Sequence, residues 1–257
     1  MKNLIVIFCI LITPFCYGQV PTFEHKIDDN SHFWGVYTGT IKVAKHWGIH
    51  SEFQWRRHNF IQSWQQNLSR IGVNYHLNDN VILTAGYGYI QTFPYGSQPI
   101  NHFDKVVSEN RLWQQLQLNH SLGRFSFNHR YRLEQRWTEK WLDKNQQDGY
   151  LYTNRFRYFV RATVPISKSK LEPKAFFLTA FNELFINFGH NIKSNVFDQN
   201  RFFVGLGYQL TKSTSFQMGY LNQLIEKSNG ILFENNHTLL TMCTLNLDCQ
   251  KNASKHL

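Results

Sequence analysis

Two neighbouring segments with regularly alternating side chains constrain this chain more than any other feature. From Phe125 to Trp137, aromatic and aliphatic residues recur at every second position except Gln135, with serine, asparagine, arginine and glutamate between them. From Tyr150 to Val164 the same alternation returns, again with arginines on the polar side. Because successive side chains of a β-strand point to opposite faces, each segment predicts a strand with one apolar and one charged face.

These strands suit a barrel that crosses a membrane. A half-buried sheet of a soluble protein has the same period of two, but strands of about ten residues with an aromatic-rich face are typical of membrane barrels. Aromatic residues make up 16% of the chain, and the mean hydropathy is −0.42. Beyond residue 18 the sequence contains no apolar stretch long enough for a spanning helix. We therefore expect strands, not helices, to form the membrane span.

The start of the chain predicts export. A short basic segment precedes the apolar run from Leu4 to Ile12, and Cys16-Tyr17-Gly18 resembles a cleavage site before Gln19. The apolar run is too short for a membrane-anchor helix. We expect a cleaved signal peptide over residues 1–18, a single outer-membrane barrel domain over residues 19–247, and a polar C-terminal tail over residues 248–257.

The formal net charge of +10 bears on the partners of the chain. Nucleic-acid-binding proteins are often this basic, but export and the alternation of arginines along strands argue against a nucleic-acid partner. Lipopolysaccharide, other outer-membrane lipids and the barrel-assembly machinery are the expected partners of a monomer in the cell outer membrane. We predict neither a cofactor nor a metal site. Cys243 and Cys249 could form a disulfide, although we interpret Cys243 as a lipid-facing residue and Cys249 as a tail residue.

Eleven segments with strand character follow one another, joined alternately by short turns and long loops. Outer-membrane barrels place their short turns in the periplasm. Because bacterial single-chain barrels have even strand numbers, we expect an antiparallel up-and-down barrel of about 12 strands, with a weak first strand near Phe23–Ile27, and ten strands as the fallback. The strong segments are residues 34–42, 47–57, 63–77, 81–93, 109–120, 125–137, 150–164, 175–188, 201–210, 214–224 and 237–247.

Four stretches carry a resemblance to a known family. They read FWGVYTGTIKV, WGIHSEFQWRRH, LSRIGVNYHLNDNVILTAGYGYI and RLWQQLQLNHSLGRFSFNHRYRLEQRW. Together they resemble the DUF2490 family of uncharacterised proteins from Bacteroidetes-type bacteria, over about Phe33 to Leu247. The resemblance implies an outer-membrane-type barrel. It implies no catalytic residue that could be transferred to this chain.

The polar faces of the strands supply the candidate functional residues. Arginines lining a pore would favour anions by charge and by bidentate hydrogen bonds. Arginine and glutamate side chains can instead fill a barrel of ten to twelve strands with salt bridges, which is the interpretation we prefer. Glu109 lies on the same faces. The candidate lumen-lining residues are Glu52, Arg56, Arg70, Arg111, Arg130, Arg132, Glu134, Arg136, Arg155, Arg157, Arg161, Glu183 and Arg201.

Two functional classes remain open at this point. The first is a non-enzymatic barrel, either a passive pore for small anionic solutes or a structural envelope component. The second is a phospholipase-like lipid hydrolase of the outer membrane, for which His120 and His129 with Ser63, Ser69 or Ser121 are the available side chains. The sequence lacks a Gly-x-Ser-x-Gly motif. We therefore expect no enzymatic activity and assign no catalytic residue.

Overall fold

The computed structural model describes residues 25–97, 99–100 and 103–249, and these residues form a closed β-barrel. None of the described residues belongs to a helix long and apolar enough to cross a membrane. Consecutive strands pair antiparallel around the barrel. The strands are β1 (Lys26–Lys42), β2 (Trp47–His58), β3 (Ser63–His76), β4 (Val81–Thr92), β5 (Val107–Leu122), β6 (Phe125–Trp141), β7 (Gln147–Pro165), β8 (Ala175–Phe188), β9 (Phe197–Gln209), β10 (Thr214–Glu226) and β11 (Leu232–Asp248).

The barrel closes through a parallel pair of strands. β1 pairs with β11 from Lys26 opposite Leu232 to Lys42 opposite Asp248. In an up-and-down barrel with an odd number of strands, the first and last strands run in the same direction, so they can only pair parallel. The prediction of twelve strands, with ten as the fallback, is therefore wrong. The separate weak strand near Phe23–Ile27 is wrong as well, because Lys26 and Ile27 begin β1; Phe23 lies outside the described residues.

Several strands extend further than their sequence patterns predict. β9 begins at Phe197 and β11 at Leu232, where the sequence predicts polar loops. Asp198 and Glu234 lie in these extensions and point into the barrel, with exposed fractions of 8% and 1%. A polar stretch next to a polar lumen is compatible with a strand, so the hydrophilic composition alone misplaces the boundaries. The bounds of β8 agree with the prediction.

The two ends of the barrel differ. We call one the turn end; it contains the connections 43–46, 77–80, 123–124, 166–174 and 210–213, and the C-terminal end of β11. Gly123, with a φ of 58°, makes the tightest of these turns possible. We call the other the loop end; it contains the connections 59–62, 93–106, 142–146, 189–196 and 227–231.

Two of the sequence predictions fall largely on undescribed residues. The signal peptide over residues 1–18 lies outside the described part of the chain. Of the polar tail predicted over residues 248–257, Asp248 ends β11 and the Cys249 backbone N–H donates to the Lys42 carbonyl oxygen at 3.1 Å. The remaining tail residues, 250–257, are not among those described.

The barrel is apolar outside and charged inside. Ile71, Leu112 and Val204 point outward, with exposed fractions of 60%, 47% and 48%. The interleaved positions of the same strands, such as Arg70, Arg111 and Phe203, are buried in the lumen. This is the reverse of the usual arrangement in a soluble barrel, in which the polar face meets water.

Aromatic side chains form a pair of belts on the outer surface. At the turn end, Trp47 contacts Tyr75 and Phe176 contacts Tyr208, with ring centroids 4.9 and 4.8 Å apart. At the loop end, Trp64 stacks on Phe93 at 5.4 Å and Trp137 lies 5.2 Å from Tyr152.

Candidate functional site

A single buried carboxylate organises the middle of the lumen. Glu134 on β6 has an exposed fraction of 0%. It accepts hydrogen bonds from Arg155 Nη2 and Arg157 Nη1, each at 2.6 Å. Three further guanidinium groups lie 3.6–3.8 Å from its oxygens. We call this group of side chains the central charge layer; it consists of Glu134, Arg70, Arg111, Arg132, Arg155 and Arg157.

The strand registers explain why these charges meet. Glu134 lies opposite Arg155 in the pairing of β6 with β7, and Arg132 lies opposite Arg157. With a period of two along each strand, these four side chains point to the same face. The alternation between Phe125 and Val164 in the sequence therefore supplies four of the six side chains of the central charge layer.

Other carboxylates extend the network. Glu183 Oε1 accepts hydrogen bonds from Arg130 and Arg157, both at 2.6 Å. Glu109 is held by Arg136 at 2.8 and 2.9 Å and also contacts Arg111. These are charge-assisted bonds to buried carboxylates, which are stronger than neutral hydrogen bonds. Two more ion pairs, Glu52 with Arg70 and Asp198 with Arg155, have N···O distances of 2.7 Å.

Aromatic rings fill the space beside the charges. Arg132 lies over the Trp113 ring at 4.5 Å, and Arg157 lies over Phe185 at 4.4 Å. Trp113 is fully buried, and Gly86 leaves room for it, because a Cβ at Gly86 would come within 2.7 Å of the indole. These contacts fix the guanidinium groups by packing as well as by hydrogen bonds.

The central charge layer divides the lumen. On its turn-end side is a cavity of about 460 Å³, which we call the turn-side chamber. On its loop-end side is a cavity of about 200 Å³, and Arg70, Arg157 and Arg201 belong to the walls of both. Between the cavities, Glu134 and Arg132 have exposed fractions of 0% and 1%. These two side chains therefore fill the part of the lumen that they occupy and leave no room for water beside them.

A side chain from a connection at the loop end narrows the lumen there. Tyr95, in the 93–106 connection, donates a hydrogen bond to Glu234 Oε2 at 3.0 Å. Its ring packs against His32 and His58 at centroid distances of 5.4 and 5.3 Å. Burial, together with the nearby Glu234 carboxylate, raises the pKa of the Tyr95 phenol, so it stays protonated and keeps donating.

The structure places all of the candidate lumen residues inside the barrel. Most of them join carboxylate networks, but Arg56 and Arg161 have no carboxylate within 4.0 Å among the described residues. Arg56 instead donates to Gln66 Oε1 at 2.8 Å and lies 3.8 Å over the Trp34 ring. The inside residues, in chain order, are Glu52, Arg56, Arg70, Arg111, Arg130, Arg132, Glu134, Arg136, Arg155, Arg157, Arg161, Glu183 and Arg201.

Sequence reasoning missed Asp198, Glu234 and Tyr95. The first of these was predicted to lie in a loop; the structure corrects this, because Asp198 belongs to β9 and pairs with Arg155. The alternation of Glu234, Asn236 and Thr238, all buried, continues the inward face of β11 and is the signal that identifies Glu234. The sequence contains no comparable signal for Tyr95.

The histidines considered for catalysis and the two cysteines lie outside the central charge layer. His129 Nδ1 lies 3.0 Å from the Tyr158 hydroxyl, and its ring stacks on His120 at 5.2 Å. The thiols of Cys243 and Cys249 are free. Within residues 25–97, 99–100 and 103–249, no group of three or more histidine, cysteine, aspartate or glutamate side chains could hold a metal ion.

Comparison with known proteins gives a family but no activity. The model of a family described as "Protein of unknown function (DUF2490)" matches residues 31–234. An uncharacterized protein of Methylorubrum extorquens is 29% identical over 227 residues, which cover 86% of this chain and 88% of that protein. No solved structure matches the chain.

Proposed function

Because the chain belongs to the DUF2490 family, whose description assigns no function, we propose its role from the barrel itself: a closed outer-membrane β-barrel that serves as a structural envelope component. The observation that carries this proposal is the combination of an apolar outer surface with a lumen filled by charged side chains around Glu134. A wide outer-membrane pore would instead hold water in its lumen.

The outer surface supports the membrane location. In water, the outward-facing side chains of Ile71, Leu112, Val204 and Leu206 would contribute to a large exposed apolar surface. In a bilayer the same surface faces hydrocarbon, and the aromatic belts lie at the two interfaces. Outer-membrane lipids and lipopolysaccharide are the expected partners of this surface, and the barrel-assembly machinery is the expected partner during insertion of a monomer.

Fractionation tests the location. We expect the full chain, expressed in a Gram-negative host, to remain in the outer-membrane fraction after an alkaline carbonate wash and to require detergent for extraction. A periplasmic protein of the host serves as the control that the wash should release. Release of this chain in the wash, as a folded protein, would show that it is a soluble β-barrel.

A second candidate function is an anion pathway. Arginines outnumber carboxylates in the lumen, where Arg56 and Arg161 lack an acidic partner among the described residues. If the central charge layer rearranged, this excess of positive charge would favour anions. Conductance measurements separate the two candidates, because a closed barrel carries no current and an anion pathway carries a selective one.

A further inference from the structure

The turn-side chamber has two chemically different walls. Arg130, Arg132 and Arg161, from β6 and β7, supply guanidinium groups to one side. The apolar wall continues from these arginines, because Phe159 lies beside both Arg130 and Arg161. It is a cluster of buried side chains that includes Trp34, Val36, Phe159, Phe181, Leu221 and Leu240. A chamber of this kind offers charge to one end of a ligand and an apolar contact surface to the other.

Several guanidinium nitrogens of the cationic wall lack partners. Arg132 is 1% exposed and donates to the neutral Gln115 Oε1 at 2.9 and 2.7 Å, while its buried Nη1 makes no hydrogen bond and lies 3.8 Å from Glu134 Oε1 in the central charge layer. The buried Nε atoms of Arg130 and Arg161 also lack hydrogen-bond partners. Buried polar groups in proteins are normally hydrogen-bonded, so the incompletely satisfied guanidinium groups of Arg130 and Arg161, which both line the chamber, indicate a place for an acceptor.

The charge of the chamber is also unbalanced. Glu52 and Glu183 are the carboxylates that line it, and both are engaged by Arg70, Arg130 or Arg157. Arg161 has aromatic neighbours instead, with its guanidinium 5.3 Å from the centre of the Phe159 ring and 5.5 Å from that of Phe181. An anion placed beside Arg161 would therefore gain a charge partner without displacing an existing ion pair.

The chamber is reached from the turn end. Asn119, Asn128, Arg161 and Leu171 line both the chamber and an adjoining cavity of about 630 Å³ at that end. The central charge layer closes the opposite side. A ligand would thus enter and leave through the turn end, from water and not from the lipid-facing outer surface.

We propose that the turn-side chamber binds a small water-soluble organic anion, a carboxylate that carries a short hydrocarbon chain or ring. Its head would accept hydrogen bonds from Arg130 and Arg161, and its hydrocarbon part would lie on the apolar wall. The volume of about 460 Å³ falls within the range of small-molecule sites, about 300–1,000 Å³. The proposal depends on the lumen alone and not on the membrane location.

Titration calorimetry of the full barrel, folded in a non-ionic detergent, tests the ligand class. Acetate, butyrate and hexanoate are the probes, and hexanol and hexylamine are the comparisons. We expect affinity to rise about fourfold for each added methylene, since burial of one contributes about 0.8 kcal/mol, and we expect no binding of hexanol or hexylamine. Equal affinity for acetate and hexanoate, hexanol binding as tightly as hexanoate, or no hexanoate binding would overturn the proposal.

A pair of arginine variants tests the site. We expect Arg161→Gln to weaken hexanoate binding about tenfold or more, because it removes a charged donor. Arg57→Gln makes the same change at the loop end, where Arg57 lies over the Trp55 and Trp64 rings, and should leave the affinity unchanged. Circular dichroism and heat-modifiable migration in gels establish that each variant is folded. Unchanged hexanoate affinity in a folded Arg161→Gln protein would contradict the site, while carbonate fractionation would still decide the membrane location separately.

Discussion

Replacing Glu134 by alanine is expected to lower the free energy of unfolding by about 3–5 kcal/mol, or to prevent folding. The substitution leaves Arg155 and Arg157 without the carboxylate that each contacts at 2.6 Å. Three further arginines of the central charge layer lose the same neighbour. Buried positive charges would then face one another in a medium that solvates them poorly. Urea unfolding of the barrel in lipid vesicles, followed by tryptophan fluorescence, gives the measurement.

Glu172 provides the matched control. Its ion pair with Lys168 lies in the 166–174 connection, where the glutamate side chain is 55% exposed. Because exposed ion pairs contribute little, Glu172→Ala should change the free energy of unfolding by no more than about 0.5 kcal/mol. If Glu134→Ala folds and unfolds at the same urea concentration as Glu172→Ala, the central charge layer does not stabilise the barrel.

The second large effect is expected on the outer surface. Val204 lies near the middle of β9, points outward and is 48% exposed. Arginine at the midplane of a bilayer costs a membrane barrel about 2–4 kcal/mol, so Val204→Arg should destabilise the protein in vesicles by that amount. On the surface of a soluble barrel the same substitution would be nearly neutral.

Ser228→Arg is the comparison for this experiment. Ser228 is exposed in the 227–231 connection at the loop end, and an arginine there should change the free energy of unfolding by about 0.5 kcal/mol or less. Measuring both variants in vesicles isolates the effect that the position of the arginine relative to the bilayer has on the free energy of unfolding. Equal stabilities of the two variants would mean that Val204 does not face hydrocarbon.

The sequence predicts the local features of this barrel well. The alternation along β6 and β7 indicates which side chains enter the lumen, and the structure places Arg132, Glu134, Arg155 and Arg157 there together. A strand pattern depends on neighbouring residues only, which is why the bounds of β8 can be predicted from sequence.

Features that depend on distant residues are the ones that the sequence does not predict. Whether β1 meets β11 directly depends on closure of the whole barrel, so the parallel pair and the odd strand number have no local signature. The same limit applies to Asp198. Its neighbours in the sequence are polar and resemble a loop, and its ion pair with Arg155 becomes apparent only in the folded barrel. For Arg161, the type of residue predicts an ion pair, but the neighbours supplied by the fold are Phe159 and Phe181.

Planar-bilayer conductance of the refolded, detergent-purified chain tests most directly whether the lumen is closed. A general porin in the same bilayers serves as the positive control, and a salt gradient reports ion selectivity. We expect the folded barrel to give no steady conductance steps, because the buried side chains of the central charge layer around Glu134 fill the lumen between the two cavities. Steady anion-selective steps from the folded protein would contradict a closed lumen and would favour the anion pathway.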